Sequence, residues 1–500
     1  MLTGIFNYLN LLLLAYVFGA GMEMDAFFAA VTIPQIISAI LLAILSATFI
    51  PVFIEARSKD ETNAWKVASI SINLLFLCLF VIAVIGSLFS KNVIALINPG
   101  FQEETSVIAV SLFRIMILSI IFSGTSILLT SVYFAKQRFF KASFASWMNS
   151  VIVFLFVLFL RSSLGVKSII IGTLVGSIIQ FLFLFPVFMK KGRYYFLFDF
   201  KKKEIVKLGR LIFPLLIGSI FYKTNTLVER LIASNLGDGK ISYLGYAYKI
   251  CIALIMVINQ GISTVIFPRM SEYSAVGDLK SLKEILSKGM RALIIITTPV
   301  VFLIFLAKFE LVRLILERGN FSPSATTAVG NTLIAYLGFF IVASISLPIV
   351  NTLYSLQETT KVAIVGVLGF ILYVFLAFFL SGYFSYLGIA LAVSIQYIIN
   401  IIIFLSIVKN RLGGFKLSPI FRCMGKSVLA AGVSSLFILG TYNLVSGITK
   451  YPFDFIIQVI IGLALYLIVL IILKSEELKF IKLNFSFLKM NKIKIPHDEC

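Results

Sequence analysis

Long apolar runs, separated by short polar or basic segments, follow one another along the whole chain. Runs of roughly 18 residues or more can cross a hydrocarbon core of about 30 Å as α-helices. Apolar residues are continuous within each run rather than alternating, which excludes the strands of a membrane β-barrel. The pattern predicts an all-α polytopic membrane protein of about 14 transmembrane helices. We place these helices at about 2–20, 26–54, 66–89, 105–134, 142–160, 166–189, 208–235, 241–268, 285–307, 325–356, 361–382, 385–408, 424–446 and 452–473.

Composition supports the membrane class and charge gives the orientation. The 500 residues are 60% hydrophobic and 13% charged, whereas soluble domains carry about 25% charged residues. The net charge is +21, and the cations concentrate in alternate loops, chiefly 135–141, 190–210, 269–291 and 409–422. This distribution is typical of cytoplasmic loops. It predicts that both termini are cytoplasmic, that the basic tail at 475–500 contacts membrane lipids, and that nucleic acid is not a partner.

Candidate catalytic and cofactor motifs are weak. The only histidine is His497, and the four cysteines lack metal-type spacing. Gly425-Lys426-Ser427 resembles the end of a phosphate-binding loop, but Ile420 stands where that loop requires glycine. No long extracytoplasmic loop is present that could house a glycosyltransferase, polymerase or ligase active site. We therefore predict no enzyme activity, no metal and no cofactor.

Two further local patterns concern targeting and packing. Met1 is followed almost at once by apolar sequence, without a basic region or a small-residue cleavage site, so no cleavable signal peptide is expected. Gly172 and Gly176 have the G-x-x-x-G spacing that lets two membrane helices approach closely.

An internal repeat organises the chain. ATFIPVFIEARSKD (47–60) resembles STVIFPRMSEYSAVGD (263–278), and SVYFAKQRFFK (131–141) resembles TLYSLQETTK (352–361), which pairs Tyr133 with Tyr354. Each repeat holds six helices, so both enter the membrane from the same side. We predict two six-helix lobes related by a pseudo-twofold axis along the membrane normal, with a substrate cleft between them. The predicted domains are lobes at 1–190 and 206–409, an extra transmembrane helix pair at 423–474, and the tail.

Three charged residues interrupt the apolar run at 213–237: Lys223, Glu229 and Arg230. A charge at the centre of a membrane helix costs about 2.5–3.5 kcal/mol on insertion scales. One interpretation has Arg230 extending to the membrane surface and Lys249, on the next helix, pairing with Glu229. The other has Lys223 and Lys249 facing a hydrated cleft that binds an anionic headgroup, and we prefer it.

Several segments identify a family. FGAGMEMDAFFAAVTIP (18–34), INPGF (97–101), PLLIGSIFYKTNTLVERLIASNLGDGKISYLGYAYKI (214–250) and QGISTVIFPRMS (260–271) resemble the MurJ/MviN lipid II flippases of the MOP exporter superfamily. The resemblance implies alternating-access transport of an undecaprenyl-pyrophosphate-linked peptidoglycan precursor across the bacterial cytoplasmic membrane. It also implies a cationic central cavity and a groove for the lipid tail at the last two helices. Implied partners are this glycan lipid, a coupling ion or the membrane potential, and cell-wall synthesis enzymes.

The resemblance also assigns positions. Asp25 matches the acidic residue after the family's G-A-G-M loop, Gln35 follows the helix 2 proline where asparagine is usual, Ser242 matches a cavity serine, and Lys249 replaces an arginine. The predicted substrate-binding residues are therefore Lys223, Lys249, Arg230, Glu229, Asp25, Gln35 and Ser242.

The chain departs from the family pattern in its first half. Asn10 or its neighbours and Ser38-Ala39 stand where arginines are usual, and Tyr248 replaces an acidic residue. Two alternatives to lipid II transport therefore stay open. One is a flippase for another polyprenyl-linked oligosaccharide, such as an exopolysaccharide or O-antigen unit. The other is a scaffold, without transport, in a cell-envelope synthesis complex.

Overall fold

The computed structural model describes residues 2–190, 194–448, 451–475 and 477. Within these ranges the side chains of residues 2, 190, 214, 217–223, 260–265, 267 and 441–448 are outside the description. Apart from residues 475 and 477, the predicted tail lies outside the described residues. The α-helices, with a 3-10 turn at Ser234–Leu236, are α1 Leu2–Phe18, α2 Met22–Lys59, α3 Glu61–Leu88, α4 Ser90–Ile97, α5 Glu103–Ala135, α6 Phe139–Leu164, α7 Lys167–Leu184, α8 Pro186–Lys190, α9 Lys203–Lys223, α10 Asn225–Ala233, α11 Lys240–Ala275, α12 Leu279–Leu306, α13 Lys308–Ile315, α14 Pro323–Ala335, α15 Leu337–Ile345, α16 Leu347–Ser355, α17 Thr359–Phe384, α18 Tyr386–Arg411, α19 Ser418–Ile448 and α20 Phe453–Ile472.

The chain is an all-α multi-pass membrane protein, as predicted, and every predicted apolar run is helical. The count of fourteen spans is not confirmed. In the described residues eleven helices are long and apolar enough to cross a membrane, or twelve if the pair α14 and α15, bent by 50°, is one span. Helix α1 has 17 residues, about 26 Å at 1.5 Å per residue. The run predicted at 208–235 is divided at Thr224 into α9 and α10.

The two repeats contain the same turn at equivalent places. After α5, Gln137 has φ 56°, and after α16, Gln357 has φ 60°. In the first turn the Arg138 N–H donates to Tyr133 O, and in the second the Glu358 N–H donates to Leu353 O, both at 2.9 Å. The structural equivalent of Tyr133 is therefore Leu353, one residue away from the Tyr354 expected from sequence.

The two repeats also match at the aspartates that begin the helices after the proline-containing segments 47–60 and 263–278. Asp60 caps α3 by accepting from the Thr62 N–H at 2.8 Å, and Asp278 caps α12 by accepting from the Ser281 N–H at 3.0 Å. Aspartate is among the preferred N-cap residues because its carboxylate satisfies a free N–H of the first turn. Both quoted segments therefore end in an aspartate that caps the following helix.

The described chain divides into two compact units. The first unit comprises Met1–Ile250, Leu311–Tyr336 and Gly366–Gln396, and the second comprises Cys251–Glu310, Leu337–Val365 and Tyr397–Cys500. Unit boundaries fall inside α11, α13, α17 and α18 and between α14 and α15, rather than between the predicted lobes. The lobe and helix-pair boundaries at 1–190, 206–409 and 423–474 stay a prediction.

In the first unit, aromatic and small side chains let the helices pack closely. Phe49 and Phe53 of α2 stack at 5.7 Å, and Phe53 meets Trp65 of α3 edge to face. On α7 the predicted G-x-x-x-G packing is confirmed. A Cβ at Gly172 would lie 2.8 Å from Phe156, and a Cβ at Gly176 would lie 2.7 Å from Asn149.

The C-terminal helices α19 and α20 belong to the core of the second unit. Tyr466 and Leu470 of α20 are buried together with Cys423 and Ala430 of α19. The Tyr466 hydroxyl donates to Ile295 O of α12 at 2.9 Å. The helix pair is therefore packed against α12 and contributes to the same core.

Candidate substrate-binding site

Arg230 and Glu229, the adjacent charges of α10, form an ion pair. Arg230 Nη1 lies 2.9 Å from Glu229 Oε1, and the two side chains are only 6% and 11% exposed. Arg230 also donates from Nε to Thr32 Oγ1 at 3.3 Å and from Nη1 to Ile241 O at 3.4 Å. Arg230 therefore does not extend to the membrane surface, and its charge is neutralised where it lies.

The glutamate of this pair has a second partner. Tyr336, at the bend between α14 and α15, donates its hydroxyl to Glu229 Oε2 at 3.3 Å. Both carboxylate oxygens are thus engaged, one by a cation and one by a phenol. A buried ion pair offsets its desolvation only when its remaining polar atoms are also satisfied, and this arrangement approaches that condition.

Lys249 of α11 has a different environment. Its ammonium lies over the ring of Phe28 at 4.6 Å and near the ring of Phe27 at 5.8 Å. Its side chain is partly exposed. Within the described part of the chain, no carboxylate lies within 4.0 Å of it, because Glu229 pairs with Arg230 instead. The expected pairing of Lys249 with Glu229 is therefore not found.

Asp25 and Ser242 lie together, but in a structural contact. The Asp25 carboxylate accepts from the Gly239 N–H at 2.5 Å and from the Ser242 N–H at 2.6 Å. The Ser242 hydroxyl donates to Gly239 O at 3.0 Å. Helix α11 begins at Lys240, so a carboxylate from α2 satisfies the free N–H groups at its N-terminus. Both residues are buried.

The two remaining predicted residues are Gln35 and Lys223. Gln35 of α2 is exposed and is not part of the Arg230 cluster. Lys223 ends α9, but its side chain lies outside the described residues, so its role stays a prediction. The structure brings together Glu229, Arg230 and Lys249 around the aromatic residues of α2.

Sequence reasoning missed the aromatic and hydroxyl groups of this cluster. Phe28 faces Lys249 and Arg230, the latter with its guanidinium 5.6 Å from the ring. Phe28 also packs against Gly245, where a Cβ would lie 2.9 Å from the ring. Thr32 and Tyr336 complete the partners of the ion pair. In an apolar run such residues have no distinguishing spacing, and their hydroxyls were the only available signal.

Around Asp25 a set of contacts joins distant parts of the first unit. The Tyr246 hydroxyl donates to Gly19 O at 2.8 Å. Asn320 donates its N–H to Tyr16 O at 2.9 Å and its side-chain amide to Val17 O at 2.6 Å. The Gly100 N–H donates to Ser234 Oγ at 3.3 Å. Helices α1 and α11, the loops after α4 and before α14, and the 3-10 turn at Ser234 are therefore joined at one end of the helices.

The residues that the structure describes contain no candidate metal-binding site. Among them no group of three or more histidine, cysteine, aspartate or glutamate side chains could hold an ion. The cluster instead contains the Lys249 ammonium on the Phe28 ring, beside the ion pair of Arg230 and Glu229. Such a cation can bind a phosphate group through charge-assisted hydrogen bonds.

Comparison with solved structures supports the fold. The structure of a lipid II flippase MurJ in an inward closed conformation matches with a TM-score of 0.81 and 26% identity, covering 95% of this chain and 97% of the other. An inward-facing MATE multidrug transporter of the MOP superfamily matches with a TM-score of 0.71 over 82% of this chain and 94% of its own. At 14% identity the second match concerns the fold alone.

Comparison of sequences gives the family. A relative from Buchnera aphidicola subsp. Schizaphis graminum, named probable lipid II flippase MurJ, is 27% identical over 448 residues, which are 88% of this chain and 87% of the relative. One of the same name from Borreliella burgdorferi is 26% identical over 434 residues, covering 85% and 84%. The family model described as lipid II flippase MurJ matches residues 14–463. The chain therefore belongs to the MurJ family of lipid II flippases.

Proposed function

We propose that this chain transports lipid II across the bacterial cytoplasmic membrane by alternating access, and that Lys249 binds the pyrophosphate of the substrate. It is a transporter and not an enzyme. The family membership and the names of its relatives support the substrate. The polyprenyl-pyrophosphate-linked glycan is the one partner that these names imply. The coupling ion or membrane potential and the cell-wall synthesis enzymes stay expectations from the family resemblance.

The observation that carries the assignment is the unequal environment of two neighbouring cations. Arg230 is neutralised by Glu229 at 2.9 Å, whereas Lys249 is partly exposed and rests on Phe28. A phosphate that approached Lys249 would gain a charge-assisted contact without first displacing a carboxylate. Lys223 is the predicted second cation of this site.

The contact set around Asp25 supports alternating access. We infer that these contacts close one end of the first unit, so that a substrate could pass that end only if they opened. The alternate basic loops predict that both termini are cytoplasmic, and the closed end would then be extracytoplasmic. The substrate would accordingly enter from the cytoplasmic side.

The test is transport of lipid II in reconstituted vesicles, normalised to folded protein. Lys249→Ala removes one charge-assisted contact, worth about 1.5–3 kcal/mol, or roughly ten- to a hundredfold in affinity. Lys249→Arg keeps the charge and should retain part of the activity. Lys240→Ala is a matched control, since Lys240 is also a lysine of α11 that lies over aromatic rings, 5.4 Å from Tyr243 and 5.0 Å from Tyr386. Normal transport by Lys249→Ala would show that the anion binds elsewhere.

A further inference from the structure

The segment that joins α8 to α9 combines exposed aromatic rings with a dense cluster of cations. Phe196 and Phe200 are 76% and 66% exposed. Lys201 and Lys203 follow directly, and Arg210 lies two turns farther along α9. Aromatic side chains are enriched at the membrane surface, and cations near that surface attract anionic lipids. Neither feature is used by the proposed transport site.

The cations line a groove on this surface. Its volume is about 620 Å³, and its lining residues are Lys201, Lys203, Val206, Lys207, Arg210 and Leu211. Lys207 is paired with Glu55 of α2 at 2.5 Å. Across the described residues no carboxylate lies within 4.0 Å of the other three cations. The nearby Asp199 directs its carboxylate to the backbone, accepting from the Lys201 and Lys202 N–H groups at 2.9 and 3.1 Å.

The aromatic segment is fixed to the protein by its backbone. Asn73 of α3 donates its side-chain amide to Tyr195 O and to Leu197 O, both at 3.1 Å. The Tyr195 N–H donates to Ser69 Oγ at 3.2 Å. Helix α3 is one of the membrane-spanning helices. The exposed rings of Phe196 and Phe200 are therefore held beside a spanning helix rather than carried on an unattached loop.

We propose that residues 194–211 form a binding site for an anionic phospholipid of the adjacent leaflet. The lipid phosphate would occupy the groove, where Lys201, Lys203 and Arg210 supply charge without a competing carboxylate. The acyl chains would pack beside Phe196 and Phe200. The aromatic surface favours a lipid over a free phosphate ion, which would gain nothing from apolar contacts.

Native mass spectrometry of the full-length protein tests the site by titration with phosphatidylglycerol and with phosphatidylcholine of the same acyl chains. The groove variant is Lys201→Gln/Lys203→Gln/Arg210→Gln. Its charge-matched control is Lys409→Gln/Lys416→Gln/Arg422→Gln, which changes exposed cations outside the groove. Each cation near an anionic surface contributes about fivefold in affinity. Allowing for solvent screening of an open groove, we expect the groove variant to bind phosphatidylglycerol at least about tenfold more weakly, and the control to bind it normally.

Further variants separate the sources of the effect. Phe196→Gln/Phe200→Gln should weaken phosphatidylglycerol binding with the charges intact, and inorganic phosphate should compete poorly. If the triple variant does not fold, the single variant Arg210→Gln replaces it. We expect this variant to weaken phosphatidylglycerol binding a few-fold. The proposal is overturned if groove and control variants weaken binding equally, or if the wild type does not prefer phosphatidylglycerol. It is also overturned if inorganic phosphate displaces the lipid while the aromatic variant binds normally. None of these readouts depends on lipid II transport.

Discussion

Arg230 Nη1 and Glu229 Oε1 lie 2.9 Å apart, so two charges that follow each other in the sequence neutralise each other inside the protein. Neighbouring residues of a helix point in different directions, and the long arginine side chain turns back to reach its neighbour. The opposite charges of Glu229 and Arg230 are thereby reduced to a dipole within the apolar run. Lys249 differs from Arg230 in this respect, because no carboxylate of the described residues lies within 4.0 Å of it.

The first prediction concerns the ion pair. Glu229→Gln should lower the free energy of unfolding by about 3–5 kcal/mol, because it leaves Arg230 charged and buried without its counter-ion. The double variant Glu229→Gln/Arg230→Met should recover much of this loss, since no charge then remains. Chemical denaturation of the purified protein, arranged as a double-mutant cycle, measures both effects. A single variant as stable as the wild type would contradict the prediction.

The second prediction concerns Asp25. Asp25→Ala removes the acceptor of two backbone N–H groups and should destabilise the protein by about 1.5–3 kcal/mol, because hydrogen bonds to a charged group are the strong ones. Asp25→Asn keeps one acceptor oxygen and should lose less. Glu23→Gln, on the exposed side of the same first turn of α2, is the control and should behave as wild type. The midpoint of thermal unfolding ranks the three variants. Equal midpoints for all three would refute a capping role for Asp25.

The third prediction concerns two glycines at the closed end. Gly19 and Gly319 have φ +65° and +61°, and a Cβ on them would lie 2.3 Å from Asn320 O and 2.2 Å from Tyr16 O. Gly19→Ala and Gly319→Ala should therefore separate α1 from the loop before α14. This separation should favour opening of the closed end of the first unit. A thiol reagent should then label a Ser234→Cys probe, buried at the same end, several-fold faster than in the parent.

Gly165 provides the control for this experiment. It also has a positive φ, +54°, but a Cβ there would meet nothing within 4 Å. Gly165→Ala therefore introduces backbone strain without the steric clash, and it should leave probe labelling unchanged. Equal labelling in all three glycine variants would mean that strain alone, and not these contacts, controls the closed end.

The fourth prediction concerns the C-terminal helix pair. Deleting residues 424–500 should reduce the yield of folded protein, because α19 and α20 supply core residues of the second unit. Tyr466→Phe should cost about 0.5–1.5 kcal/mol through loss of its hydrogen bond to Ile295 O, and Tyr383→Phe, at a tyrosine that is 74% exposed, should cost less. A truncated chain with normal yield and melting temperature would contradict the prediction.

The fold could be predicted from sequence where a single physical rule decides it. Continuous apolar runs identified the helices, because only internally hydrogen-bonded backbone is tolerated in lipid. The breaks at Thr224 and Tyr336 were missed, since neither position is glycine or proline, the usual signals of an interruption. The repeat was found through its proline and turn segments, although the turn itself corrected the pairing of Tyr133 by one residue.

For the candidate site, the sequence indicates which charged residues need partners, but it does not indicate which partners they have. Charges in an apolar run indicated that Glu229, Arg230 and Lys249 required partners. The choice among partners depends on contacts between residues far apart in sequence, such as Arg230 with Thr32 across 198 positions. Asp25 and Ser242 were each predicted to bind substrate, and that role stays a prediction. Their actual hydrogen bonds join two helix ends.

The contact between Asp25 and Gly239 also has a consequence for the order of synthesis. The two residues are 214 positions apart, and a chain elongates at about 5–20 residues per second. For roughly 10–40 s after Asp25 leaves the ribosome, the N–H groups that it will accept from do not yet exist. The first helices must therefore enter the membrane carrying a carboxylate that only a later part of the nascent chain can satisfy.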